Sequence, residues 1–184
     1  MKKIVIIGGV AGGASCAARL RRLDEEANII MFERGEYISY ANCGLPYHVG
    51  DVIKSRDALL LQSPEAMKKK YNIDVRVKNE VTSIDRENKK ITVRRLDSGE
   101  TYEETYDTLV ISTGSSPVRP PIPGIGSTRI QTLWTVPDTD RIRALIKENK
   151  IKTAAVIGGG FIGLEMAENL RHAGLAVSLI EMLD

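Results

Sequence analysis

Histidine and cysteine are both scarce in this chain, with two of each among 184 residues. So few ligands leave no metal-binding spacing to read, and no Ser-His-Asp arrangement suggests itself. Two cysteines fit a reducing cytoplasm, where a thiol is kept for reactivity or packing and not for a disulfide framework. Charge imbalance is lacking too: charged residues make up 27% and the net charge is +2, which argues for neither a nucleic-acid nor a membrane partner. No apolar run is long enough to span a bilayer, and no low-complexity segment or heptad array appears. Met1-Lys2-Lys3 before Ile4–Ile7 has the outline of an export signal, but the glycines that follow are better explained by a phosphate-binding turn.

Glycine is what the chain does have, and it falls into two fingerprints. The first runs from Ile4–Ile7 through Gly8-Gly9-Val10-Ala11-Gly12-Gly13 into the small residues Ala14-Ser15-Cys16-Ala17-Ala18. The second runs from Ala154–Ile157 through Gly158-Gly159-Gly160-Phe161-Ile162-Gly163 into Leu164-Glu165-Met166-Ala167. Each reads as apolar strand, glycine turn and helix, the context that makes a dinucleotide-binding motif specific. Gly8 makes the tight turn and Gly13 lets helix and strand pack closely, while the pyrophosphate rests on the helix N-terminus. Val10 departs from the motif at its middle glycine; Gly158, Gly160 and Gly163 fill all three places of the second copy. Glu33 and Glu181 each end the next strand, where a carboxylate accepts from a ribose hydroxyl. Because a carboxylate there repels a 2′-phosphate, Glu181 favours NADH over NADPH. Two nucleotide units imply electrons passing between two nucleotides.

Between the fingerprints the pattern is mixed. Residues 12–24 read as a helix and 28–32 as a second parallel strand, and 34–56 as an irregular loop of the kind that is usually functional. Ser63-Pro64-Glu65 starts a helix that runs to about Tyr71. Alternation marks strands at 74–77, 81–85 and 91–96, and 102–106 adds a strand to an antiparallel meander. Leu109-Val110-Ile111 is a short apolar strand leading to Ser112-Thr113-Gly114. Pro117, Pro120, Pro121 and Pro123 form a stiff connector, and 138–149 read as a helix. The second nucleotide unit has reached only its second strand by Asp184, so the sequence reads as a fragment of a longer protein.

Cys43 is the candidate redox residue, in Ser39-Tyr-Ala-Asn-Cys43-Gly44-Leu-Pro46-Tyr47. Gly44 would allow a flat ring close to the backbone, and Pro46 opens a short helix just after the thiol, a setting that favours thiolate. The residues five positions away are Ile38 and His48. A disulfide made by Cys43 is therefore with a small molecule, or its oxidised form is a sulfenic acid. On the first helix Gly13, Cys16, Ala17, Leu20 and Leu23 fall on one stripe, which should face the sheet with Cys16 as buried filler. Ser15, Arg19 and Arg22 share the opposite stripe; the basic cluster of Arg19, Arg21 and Arg22 reads as a solvated face. His48 reads as an exposed loop residue, and His172 as a C-terminal cap.

The glycine loops, the Cys43 segment and Tyr106-Asp-Thr-Leu-Val-Ile-Ser-Thr113-Gly114-Ser-Ser-Pro117 together resemble the flavoprotein pyridine nucleotide–disulfide oxidoreductases, and within them the coenzyme A disulfide reductases. The resemblance covers essentially the whole chain. It implies an α/β fold: a Rossmann-like FAD-binding domain with an antiparallel β-meander insertion, then the start of a second Rossmann-like NAD(P)-binding domain. Its boundaries would be 1–118 for the FAD domain (incomplete), 119–149 for a connector and helix, and 150–184 for the truncated NAD(P) domain. It implies that Gly8, Gly9, Val10, Ala11, Gly12, Gly13, Glu33, Val81, Thr113 and Gly114 bind FAD. Gly158, Gly160, Phe161, Ile162, Gly163, Glu165 and Glu181 would bind NADH or NADPH, with Phe161 as a gate over the nicotinamide. Ser15, Arg19, Arg22, Ser39 and Asn42 would bind a CoA disulfide, the arginines meeting its phosphates, and Cys43 would form a mixed disulfide with CoA. The parent protein would be a cytoplasmic homodimer, and residues 1–184 alone would bind FAD weakly without turnover. Three alternatives stay open: an NADH oxidase or peroxidase cycling Cys43 as sulfenic acid, a persulfide or polysulfide reductase, and a non-catalytic nucleotide-binding module. The peroxidases and oxidases typically carry a histidine where Ala11 stands, which argues against them here.

Overall fold

The computed structural model describes residues 2–148 and 151–182. The chain forms two compact units, one of 1–40 with 60–115 and one of 41–59 with 116–184.

The first unit is built on a four-stranded parallel sheet of order β3-β2-β1-β7: β1 (Lys3–Ile7), β2 (Asn28–Phe32), β3 (Asp74–Arg76) and β7 (Thr108–Ile111). Val5 pairs with Ile30 on one side and Leu109 on the other. Side chains of a strand alternate between faces, so the unbroken run Ile4–Ile7 serves two cores. Ile4, Ile6, Ile29 and Met31 pack with Ala17 of α1 (Ala11–Leu23) and Met67 of α3 (Pro64–Tyr71). Val5, Ile30 and Phe32 pack with Ile91 and Val93 of the antiparallel meander β4 (Asn79–Asp85), β5 (Lys90–Arg95) and β6 (Thr101–Thr105). Helices thus cover one face of the parallel sheet and a second sheet covers the other.

Helix α3 begins and ends where local chemistry requires. Ser63 accepts from Ala66 N–H as its N-cap, Pro64 stands in the first turn, and Asn72 closes it with a φ of 47°. The alternation at 74–77 could not say which sheet it joins; Asp74–Arg76 lies parallel to β2 and stays out of the meander.

The second unit holds α4 (Val136–Glu148), then β8 (Thr153–Ile157), α5 (Phe161–His172) and β9 (Ala176–Ile180), with the two strands paired in parallel. Thr135 and Asp138 form a reciprocal cap for α4: Thr135 N–H donates to Asp138 Oδ2 at 2.7 Å, and Asp138 N–H reaches back to Thr135. Also in this unit is the short α2 (Leu45–Val49), whose Val49 shares a core with Ile142, Met166, Leu170 and Leu175. Asn149, the last residue of the expected helix, and Asp184 lie outside the described residues.

Two expectations about burial fail. Leu23 is 66% exposed and Cys16 half-buried, so the sheet-facing stripe of α1 is Gly13, Ala14 and Ala17 with Leu20 packed beside them, and Cys16 is not fully buried filler. Arg21 is no member of a solvated face either. Its guanidinium donates to the carbonyls of Tyr71, Asp24, Glu25, Ala27 and Asn72, tying the end of α1 to the end of α3.

Candidate functional site

Strand β1 sits where the sheet order reverses: the chain leaves it for β2 and β3 on one side and returns to β7 on the other. The carboxyl end of such a switch point is where open α/β sheets bind ligands. Gly8 stands there with a φ of +99°. A Cβ on it would lie 2.0 Å from Ser112 O, and one on Gly13 would lie 1.8 Å from Gly8 O. Neither position admits a side chain, so the turn and the start of α1 are built for close backbone approach. Glu33 ends β2 with its carboxylate aimed into this turn, accepting from Gly9 N–H and Gly35 N–H, each at 2.7 Å. Each oxygen keeps a further lone pair for a hydroxyl donor. Val10 and Ala11 open α1. Thr113 and Gly114 follow β7, both exposed, with Gly114 at a φ of +66°. Val81 is half-buried on β4, packed at the rim of the Phe32 cluster.

The second unit repeats the main features of this arrangement in its own sheet. Gly158 has a φ of +104°, and a Cβ on Gly163 would lie 1.9 Å from Gly158 O. Gly8 N–H donates to Phe32 O and Gly158 N–H to Ile180 O, both at 2.8 Å. Glu181 accepts from Gly159 N–H and Met182 N–H, as Glu33 does from Gly9 and Gly35. Gly160 caps α5 in extended backbone. Phe161 is 90% exposed, Ile162 beside it is exposed, and Glu165 is half-buried one turn on. Both glycine loops therefore fit a dinucleotide pyrophosphate, with a carboxylate beside each for a ribose.

Cys43 is exposed in a single 3-10 turn, Asn42–Gly44, that runs directly into α2. Pro46 in the first turn of α2 matches the expected helix after the thiol. The Cβ direction of Gly44 is filled by Leu59 at 3.0 Å and Ile53 at 3.2 Å, so packing within the segment leaves little room for a side chain at this position. His48 is not an exposed loop residue: it is 3% exposed, with Nδ1 2.6 Å from Ile53 O. The helical turn after Pro46 rolls it inward.

Ser15, Arg19 and Arg22 are all exposed on one side of α1, and Asn42 is exposed beside Cys43. Ser39 is half-buried at a φ of 44°, its N–H donating to Gly9 O at 3.0 Å and its carbonyl accepting from Leu61. Ser112 was not singled out in the sequence. Its hydroxyl would lie 2.4 Å from a Cβ on Gly12, and only the pairing of β7 with β1 brings it there. Among the described residues no cluster of His, Cys, Asp and Glu could hold a metal ion, and no helix is long and apolar enough to cross a membrane.

Residues 2–184 match the pyridine nucleotide-disulphide oxidoreductase family, and the chain belongs to it. The chain is 42% identical over 180 residues to coenzyme A disulfide reductase of Staphylococcus epidermidis, covering 98% of this chain and 40% of that protein. Among solved structures, reduced Bacillus anthracis CoADR-RHD superposes with a TM-score of 0.97 at 58% identity, over 98% of this chain and 33% of that one. An NAD-dependent persulfide reductase from A. fulgidus superposes with a TM-score of 0.94 at 40% identity, over 99% and 34%. The chain thus spans well under half the length of these relatives.

Proposed function

We propose that this chain is the FAD- and NAD(P)H-binding part of an enzyme that reduces coenzyme A disulfide, or a related disulfide or persulfide, with Cys43 as its only redox thiol. The observation that carries the reading is an exposed thiol on a rigid turn in a chain with two glycine cradles, each with its own carboxylate. Residues Gly8–Gly13, Glu33, Val81, Thr113 and Gly114 would hold FAD. Gly158–Gly163, Glu165 and Glu181 would hold the nicotinamide nucleotide, with NADH favoured because Glu181 repels a 2′-phosphate.

Cys43 thiolate attacks one sulfur of the substrate disulfide, so that a Cys43–S–S–CoA bond forms as the substrate S–S bond breaks and one CoA thiolate leaves. When bound, the two cofactors supply the electron pair that returns this mixed disulfide to two thiolates. Ser15, Arg19 and Arg22 present a hydroxyl and two guanidiniums on one exposed stripe, a donor set suited to the phosphates of CoA. Ser39 and Asn42 flank the thiol in sequence. The likeness to the A. fulgidus persulfide reductase supports a second substrate class handled by the same sulfur.

The test is the intact mass of the full-length protein before and after reductant, with the modified cysteine mapped. One reductant-removable CoA on Cys43, with NADH-dependent consumption of CoA disulfide that vanishes in Cys43→Ser, is expected. Added oxygen on Cys43 with no CoA would replace this reading by an oxidase or peroxidase.

A further inference from the structure

The segment that carries Cys43 belongs to the second unit, and side chains of α4 hold it there. Helix α2 is five residues long, too short to persist without tertiary support. Its carboxyl end is where that support is concentrated. Arg143 of α4 donates from one guanidinium nitrogen to His48 O, at the carboxyl end of α2, and from another to Asp51 Oδ1 at 2.6 Å. The Arg143 side chain is only 14% exposed. A cation at a helix C-terminus also complements the helix dipole. Asp51 itself sits at a φ of 61°. The hydrogen bond from Arg143 holds its carboxyl below the usual range against the opposing effect of burial, helped by the charges of Arg143 and Lys147.

Two further contacts hold the same segment. Arg56, at its far end, makes a two-pronged bond to Asp140 at 2.9 and 3.0 Å. Gly50 lies against Asn169 of α5, where a Cβ would come within 2.5 Å of Oδ1. Apolar packing of Val49 also holds α2, but among these polar contacts it is Arg143 that reaches the helix continuing directly from the cysteine turn, through Gly44 N–H to Ala41 O at 2.9 Å and the Leu45 cap on Asn42 O.

We propose that Arg143 is a positioning residue for Cys43: by clamping the end of α2 it fixes the turn that presents the thiol. The proposal rests on Cys43 being the redox thiol. Arg56 supplies the comparison, since it pins the same segment with a comparable ion pair but thirteen residues past the cysteine.

The experiment uses the full-length, flavin-loaded protein with Arg143→Met, Arg143→Lys and Arg56→Met. Two readouts are taken: the pH profile of Cys43 alkylation by iodoacetamide after reduction, and kcat and KM for CoA disulfide. Arg143→Met is expected to change the alkylation rate at least fivefold and to lower kcat about tenfold with KM little changed. Arg143→Lys, which supplies a single point charge in place of the fork, should recover part of both. Arg56→Met should lower the melting temperature and leave both readouts within twofold. If Arg143→Met melts earlier yet alkylates and turns over as the unsubstituted protein does, the proposal is overturned. Equal effects from Arg56→Met would overturn it as well, because general packing of the segment would then suffice. The alkylation readout needs no CoA chemistry. A protein that alkylates as expected but ignores CoA disulfide would therefore refute the substrate and leave the role of Arg143 standing.

Discussion

Replacing Gly13 by alanine would drive a methyl group to 1.8 Å from Gly8 O, a backbone atom that cannot rotate away. Forcing atoms into packed space costs about 1–3 kcal/mol and sometimes more, and here the displaced piece is the turn proposed to hold the pyrophosphate. Gly13→Ala is therefore expected to lower the urea midpoint and to be purified with far less flavin, read from the visible absorbance. At the second loop the residue proposed to set nucleotide choice is Glu181. Its two carboxylate oxygens accept from Gly159 N–H and Met182 N–H; glutamine keeps one acceptor oxygen and removes the charge that would face a 2′-phosphate. Glu181→Gln should narrow the preference for NADH over NADPH by about 10-fold in kcat/KM. An unchanged ratio would mean that other residues set the selectivity.

Elements in this chain are held at their ends by a few side chains whose partners lie far off in sequence. Arg21 is the clearest case. It gathers the carbonyls at the end of α1, those of the Glu25–Ala27 turn and those at the end of α3. Hydrogen bonds from a charged donor contribute about 1.5–3 kcal/mol where they must be made in partial burial. Arg21→Ala should thus cost about 2 kcal/mol, measured as a shift of the urea midpoint at unchanged slope, while Arg22→Ala, whose residue is exposed, should cost far less. The three arginines at 19, 21 and 22 look alike in sequence. They separate only because a helix advances 100° per residue, which turns Arg21 toward α3 and Arg19 and Arg22 to solvent.

For the molecule as a whole, the scarcity of histidine returns as a pH profile. The carboxylates with displaced titration all lie low. Burial raises Glu104, but hydrogen bonds from Lys3 and Arg76 outweigh it and hold it below the usual range; the guanidinium of Arg143 lowers Asp51, and bonds around Asn88 lower Asp85. Groups whose folded titration is depressed stabilise the fold fully above their ordinary value and lose that contribution as pH falls through the folded one. Lys78 and Lys90 are raised by Glu36 and Glu103, so their contribution is present below the ordinary lysine range and is lost only in strong alkali. Stability should be flat from about pH 6 to 9 and fall below the ordinary carboxyl value of 4.5. Glu104→Gln, which removes the charged partner of Lys3 and one of the two carboxylates paired with Arg76, should lose about 2 kcal/mol at pH 7 and show a shallower decline in acid. A decline of the same steepness would assign the acid sensitivity to other carboxylates.

Local chemistry was sufficient for much of this protein. The two glycine fingerprints, the Ser63-Pro64 cap and the apolar runs at 4–7 and 28–32 each demand one backbone conformation within a few residues, so they were legible before any contact was known. Glu33 and Glu181 were legible too, because the length of a helix and strand sets their distance from the turn. Tertiary structure alone decided what depends on neighbours distant in sequence. It laid 74–76 along the parallel sheet, turned His48 inward, and filled the space beside Gly44 with Leu59 and Ile53. It also brought Ser112 to the first glycine turn and gave the Cys43 segment to the unit of α4 and α5. The physical reason is the same throughout: a strand's partner and a loop's neighbours are set by which buried surfaces fit, and no short stretch of sequence carries the shape of the surface it meets.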